Sequence, residues 1–397
     1  MSVSRTVKSL NWSRVSEALS AAAHQYVAGA PVPPKKDLVF PGAVLTVSQG
    51  GELLFRSSVG CRSLLPEPSP MREDIVFDVA SLTKPLVTTS LLMQLVDRGN
   101  LEVDRRMSRI LQTFGTHGKE RMTVRHLLAH CSGYPATSPY YRQIANADRG
   151  RRAGMMTSRG AVETIYNEIL RAKIENLPGK VTKYSDIGFI LLGHALEVLY
   201  GMPLEKLVVK YLLRPLKLQQ SGYIELSNLR RRGLETVNEI IAPTAQCPWR
   251  GRVLCGEVHD DNAWAMGGVS AHAGLFTTAT DVNALVNELL ECYHGRGTFV
   301  SREVVREFWK RDETVPNSTW ALGWDTPSPK NSASGRYFSP QSVGHLSFTG
   351  CSIWVEPERE LSVVLLSNRI HPSVDNNNIR DFRPLIHDLV LETLGYV

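Results

Sequence analysis

Six cysteines (Cys61, Cys131, Cys247, Cys255, Cys292 and Cys351) are spread along the 397-residue chain, and no two form a Cys-x-x-Cys pair. That spacing argues against a thiolate metal site and a dense disulfide framework, and it suits a reducing compartment. No His-Glu-x-x-His occurs, which excludes the common helical zinc-hydrolase motif. No apolar run reaches membrane-spanning length. The opening segment MSVSRTVKSLNWSRVSEALSAAAHQY lacks the continuous apolar core of an export signal. It reads as an amphipathic helix with Leu10, Val15, Leu19 and Ala22 on one side, and a cytoplasmic location is expected. Long basic runs are missing too. Despite a net charge of +6, Arg149-Gly150-Arg151-Arg152 and Arg230-Arg231-Arg232 are short and not interleaved with aromatics. Neither a nucleic acid nor a membrane is therefore an expected partner; a solvated basic face favouring anionic substrates is the better account. Internal repeats and low-complexity segments are also lacking. What remains is ordinary for a globular protein, 43% hydrophobic and 21% charged.

A polar, Pro-rich connection from Ala28 to Lys36 follows the first helix. PGAVLTVSQGGELLFRSSVG then alternates as a β-hairpin, with Gln49-Gly50-Gly51 as its turn. The pattern from about 86 to 230 is helical, and it includes a short helix opened by Thr123 and another over 160–172. Leu177-Pro178-Gly179 is a turn before the helical stretch SDIGFILLGHALEVLYG. The span 240–275, rich in Gly, His and Trp, reads as an ordered loop. Thr280-Asp281 are expected to cap a helix through Cys292, followed by a helix near 301–310. A second hairpin, VGHLSFTGCSIWVEP and LSVVLLSNR about the turn Glu358-Arg359-Glu360, precedes a last helix over 380–394. Strands at both ends and helices between them predict one antiparallel sheet flanked by helices, an α/β (α+β) architecture with an inserted helical subdomain. The expected division is 1–36 as helix and linker, 37–85 plus 265–397 as the sheet subdomain, and 86–264 as the insert.

Chemistry centres on FDVASLTKP. Ser81 and Lys84 stand at i and i+3 at the start of an apolar helix, so they share a face. A serine becomes a nucleophile when a base takes its proton, and a lysine discharged by burial can help. The helix start adds free N–H groups where an oxyanion would form. A Ser-x-x-Lys match arises by chance in chains of this size, so context decides.

Three places compete to complete the site. In Tyr184-Ser185-Asp186, a phenol next to a buried lysine has its pKa lowered and becomes a base for Ser81; ring packing in the core is the rival reading. In Gly344-His345-Leu346-Ser347-Phe348-Thr349-Gly350, read as a strand, small residues let a substrate lie along the edge with an N–H aimed at its carbonyl; an ordinary edge strand is the rival. In Gly256-Glu257-Val258-His259-Asp260-Asp261-Asn262, acid–base or metal chemistry competes with a loop held by its own hydrogen bonds. A further nucleophile candidate, Ser270 in Gly268-Val269-Ser270-Ala271-His272, lacks the second glycine and the preceding strand of a nucleophile elbow.

Ser-x-x-Lys, Tyr-Ser-Asp and the His-started motif, in that order, resemble the serine β-lactamase-like and penicillin-binding-protein-like hydrolases, specifically the class C β-lactamase and esterase branch. FDVASLTKP, TVRHLLAHCSGYP, PGKVTKYSDIGFILLG, GEVHDDNAWAMGGVSAHAGLFTTATDV and FTGCSIWVEP all look like family segments in family order, from about residue 35 to the end. The segment with GEVHD and AHAGLF is similar to a subgroup found beside peptidoglycan-recycling genes. The resemblance implies a β-lactamase/transpeptidase-like fold and no cofactor or metal. It implies Ser81 as acylated nucleophile, Lys84 as proton shuttle and Tyr184 as general base. The oxyanion hole would comprise the N–H groups of Ser81 and Phe348, and the substrate would meet Asp186, His259, His345, Ser347 and Thr349. Where β-lactamases carry Lys-Thr-Gly, this chain has His345-Leu346-Ser347, and losing the fixed charge should weaken recognition of a β-lactam carboxylate.

The resulting expectation is a serine hydrolase forming an acyl-enzyme on a small ester or a D-amino-acid-containing amide or peptide related to the cell wall, with feeble β-lactamase activity. Its partner is then a small-molecule or peptide substrate. A sensor that captures cell-wall fragments without turnover, which Ser347 would favour, is the alternative. A metal-dependent hydrolase on Glu257, His259 and Asp260 stands third.

Overall fold

The computed structural model describes residues 10–27, 37–151 and 154–397. The 28–36 connection, the first nine residues and Arg152 of the basic run lie outside them. The main sheet takes three strands from each end of the chain. From the front come β1 (Gly42–Gln49), β2 (Glu52–Ser63) and β3 (Ser69–Pro70). From the back come β4 (Val343–Leu346), β5 (Ser352–Glu356) and β6 (Leu361–Ser367). Their order is β3-β2-β1-β6-β5-β4, with antiparallel neighbours throughout. The turn Gly50-Gly51, both at positive φ, joins β1 to β2 as the sequence predicts.

Strand alternation explains why both faces of this sheet are covered. On β1 and β6, Val44, Val364 and Leu366 enter the core shared with the helical block. Their neighbours Ala43, Leu45, Val363 and Leu365 face the opposite way. There they pack with Val15 and Leu19 of the helix Ser13–Ala22 and with Ile386 and Val390 of the helix Ile379–Thr393. The first helix thus starts later than the sequence suggests, and Leu10 precedes it.

Two local expectations change. Thr278, not Thr280-Asp281, caps the helix Ala279–Tyr293, its side chain accepting from the Asp281 N–H at 3.3 Å. The third motif is a strand only as far as Leu346. Ser347 Oγ accepts the Thr349 N–H at 3.2 Å, and the Gly350 N–H donates to the Ser347 carbonyl at 3.2 Å. Serine side chains close such turns by mimicking a backbone acceptor, so Ser347–Gly350 bends away from the sheet. Among the described residues no single helix is long and apolar enough to cross a membrane.

Candidate active site

Ser81 lies on a backbone that passes through three helical pitches within eighteen residues. A 3₁₀ turn Ala80–Leu82 leads into a π-helical stretch Lys84–Thr89 and then a regular helix Ser90–Asp97. Ala80 is held at φ 43°, a left-handed conformation costly for a residue with a side chain. Its N–H donates to Asp78 Oδ1 at 2.9 Å, while Asp78 Oδ2 accepts from the His259 N–H at 2.7 Å. One buried carboxylate therefore ties the nucleophile turn to the 256–262 loop. Burial pushes its pKa up to about 6, against the downward pull of those two N–H groups.

Lys84 is fully buried and donates to Ser81 Oγ at 3.1 Å and to the His272 carbonyl at 3.0 Å. Its third partner is Asp186 Oδ1 at 2.7 Å. Burial alone would lower the Lys84 pKa, but the Asp186 carboxylate and Tyr184 outweigh it and the net direction is upward. Discharge of this lysine by burial is thus not what the structure provides. Tyr184 also departs from expectation. Burial raises its pKa and Asp186 adds to the rise, so the opposing pull of Lys84 is not enough to lower it. Its hydroxyl faces Lys84 and Ser81 yet makes no hydrogen bond of ordinary geometry with either. Lys84 Nζ instead stands 4.9 Å above the Tyr184 ring centroid, a cation–π arrangement.

A cavity of about 440 Å³ opens over this cluster, walled by Ser81, Tyr184, Asp186, His259 and Phe348 among others. Its wall includes Asp260 and Asp261 as well, but among the described residues no lysine or arginine. Phe348, about half exposed, stacks on His259 with ring centroids 5.5 Å apart, and its N–H meets no acceptor among the described residues. His345, Ser347 and Thr349, expected at the substrate, do not line the cavity. Ser347 Oγ and Thr349 Oγ1 bond each other at 2.6 Å inside the turn. The His345 ring is buried beside Tyr184 and Trp320, its Nδ1 contacting the Leu346 carbonyl at 2.8 Å. Burial, helped by the Lys84 charge, pushes its pKa down to about 3, so it is neutral for a stronger reason than its free pKa.

The residues of the 256–262 loop have separate tasks. Glu257 is engaged by Arg252 at 2.7 and 3.0 Å and by the Trp264 indole at 2.7 Å. Asp260 caps the short helix Asp261–Ala265 and accepts from His272 Nε2 at 2.9 Å. Desolvation raises the Asp260 pKa, but His272 and the Ala263 N–H outweigh this and hold it well below the usual carboxylate range. Among the described residues no three His, Cys, Asp or Glu side chains converge as metal ligands. The other candidate nucleophile, Ser270, is buried with its Oγ 2.8 Å from His272 Nδ1, and it does not reach the cavity.

Two contributors escaped the sequence reading. Asp78 was visible only as a lone carboxylate in an apolar run, and His272 only as part of a rejected elbow. Gly193 makes the His272 contact feasible: a Cβ there would come within 2.7 Å of the Ala271 Cβ, so only glycine lets the helix Asp186–Tyr200 approach.

A family model described as Beta-lactamase matches residues 21–386. The chain is 31% identical over 358 residues to an N-acetylmuramyl-L-alanine amidase of Bacillus subtilis (strain 168), covering 84% of this chain and 78% of the relative. It is 28% identical over 368 residues to an Escherichia coli (strain K12) protein that carries the provisional name D-alanyl-D-alanine carboxypeptidase, covering 85% and 80%. Among solved structures, EstCE1, a hydrolase with promiscuous acyltransferase activity, superposes with a TM-score of 0.67 at 20% identity, over 94% of this chain and 97% of that one.

Proposed function

The chain belongs to the Beta-lactamase family of serine hydrolases, and from that premise we propose that it cleaves an ester or amide through an acyl-enzyme on Ser81. The observation that carries this reading is the Lys84–Ser81 contact of 3.1 Å at the wall of an open cavity. Ser81 Oγ attacks the carbonyl carbon, and the displaced electron pair becomes an oxyanion received by the Ser81 and Phe348 N–H groups. The Ser81 proton passes to Lys84 Nζ as Lys84 passes one to Asp186 Oδ1, 2.7 Å away, so the carboxylate is the net acceptor. Tyr184, neutral at rest, then protonates the leaving group. The proton on Asp186 returns through Lys84 to the phenolate, and water completes hydrolysis by the reverse course.

The wall chemistry narrows the substrate. Three aspartates and, among the described residues, no lysine or arginine leave a carboxylate at the scissile bond without a cationic partner, so β-lactams should acylate Ser81 slowly. A small ester or a D-amino-acid-containing amide fits better. The amidase name of one relative points the same way, toward a peptidoglycan fragment, whereas a D-Ala-D-Ala terminus, with its carboxylate next to the scissile bond, fits this wall less well. A second cavity of about 730 Å³ shares the His259 and Asp261 wall and gives a longer fragment room. Capture without turnover loses its main support, because the Ser347 side chain is turned into its own loop. The test is a panel of esters, D-Ala peptides and muropeptides assayed with the wild type and Ser81→Ala. Turnover that disappears in the variant agrees with the proposal, and turnover that survives refutes it.

A further inference from the structure

Two arginines behind the third motif have no carboxylate partner among the described residues. Arg383, on the helix Ile379–Thr393, is almost wholly buried and donates to the Ser347 carbonyl at 3.0 Å and the Cys351 carbonyl at 2.7 Å. Arg369, also buried, donates from Nε to the Phe348 carbonyl at 2.9 Å, with its other bonds going to the carbonyls of Val374 and Asn376. Its guanidinium also lies 5.0 Å from the Phe348 ring centroid. Burying a guanidinium without a counter-ion is costly, and burying two around one five-residue turn calls for an explanation.

The bonds themselves suggest one. The Ser347 carbonyl and the Phe348 N–H belong to the same peptide. A carbonyl that accepts from a cation draws electron density from its peptide and makes the attached N–H a stronger donor. The front of this turn lacks a fixed cation, since His345 stands where a lysine is expected and the Lys84 charge is matched by Asp186. We propose that Arg383 and Arg369 are positioning residues for the oxyanion: from behind the turn Arg383 polarises the Phe348 N–H through the Ser347 carbonyl, while Arg369, on the Phe348 carbonyl of the next peptide, adds to the positive field that the third motif has lost. This rests on the reading that Ser81 is acylated with Phe348 as an oxyanion donor. A field from behind leaves the cavity wall free of cations, so it favours the developing oxyanion without offering a substrate carboxylate a binding partner.

Phenylboronic acid, which forms an anionic tetrahedral adduct on a reactive serine, is the probe. In Arg383→Met, kcat for a p-nitrophenyl ester should fall about tenfold, a fraction of the 10²–10³ lost when an oxyanion donor is removed outright. KM should stay within about twofold, boronate affinity should fall by a factor similar to kcat, and Arg383→Lys should restore most of both. A folded Arg383→Met protein that binds the boronate as tightly as wild type overturns the proposal. Should that variant not fold, Arg369→Met decides by the same criterion. A wild-type protein that takes no boronate overturns the Ser81 reading and this proposal with it.

Discussion

Asp186 occupies the position where the class C branch has an amide, and its charge reaches two neighbours at once. By pairing with Lys84 at 2.7 Å it raises the lysine pKa, and by adding negative charge it raises that of Tyr184. Both consequences reverse what Ser-x-x-Lys and Tyr-Ser-Asp suggest when read alone. The motifs revealed which residues meet, because i and i+3 spacing fixes a shared face. They did not reveal protonation, which depends on a distance between residues a hundred positions apart. Asp186→Asn should lower both pKa values, the lysine by losing its counter-ion and the phenol by losing a repelling charge. The variant also loses the carboxylate that takes the Ser81 proton, so kcat/KM for a neutral ester should fall, and the alkaline limb of the activity that remains should move to lower pH. A limb that stays in place would show that neither group controls it.

Helix Asp186–Tyr200 carries Asp186 at its first turn and Gly193 two turns on, so one element sets both the charge beside Lys84 and the clearance for the His272 carbonyl. Gly193→Val forces apart the helix and the Ala271 backbone, an overpacking change costing about 1–3 kcal/mol. Thermal melting should drop, and ester turnover should fall further than stability alone explains, because Lys84 loses its 3.0 Å anchor. Unchanged melting and turnover would show that the contact is not tight in solution. Elements of this kind were legible in the sequence wherever period and capping agreed, as with Thr123, whose side chain closes a capping box with His126. The strand assigned across 344–350 was not, since Ser347 and Gly350 make a turn that alternation cannot report. Asp78, Arg369 and Arg383 were also hidden, because each acts through backbone atoms brought in by the fold.

At the scale of the molecule, four buried histidines set the response to acid. Burial lowers the pKa of His345 to about 3 and of His371 and His387 to about 4, and places His130 well below its ordinary value. Each is depressed in the folded state, so its contribution is fully present above the unfolded pKa near 6.5 and is lost as pH falls toward the folded value. The loss is about 1.4 kcal/mol per pH unit per histidine. Asp78 and Asp325, both pushed up to about 6 by burial, act oppositely, gaining stability as pH falls from about 6 to about 4. Four histidines outweigh two carboxylates. Urea unfolding should therefore show a marked loss of stability between pH 7 and pH 5, and a flat profile would contradict the buried neutral state.

The fold is β-lactamase/transpeptidase-like, with a sheet from both chain ends carrying the third motif and a helical block carrying Tyr184 and Asp186. The nucleophile turn lies between them, so the whole arrangement converges on one hydroxyl. Treatment with a fluorophosphonate, followed by intact-mass and peptide mapping, tests that convergence most directly. The account predicts a single adduct on Ser81 in the wild type and none in Ser81→Ala. A folded wild-type protein that gains no mass, or an adduct mapped to Ser270, would contradict it.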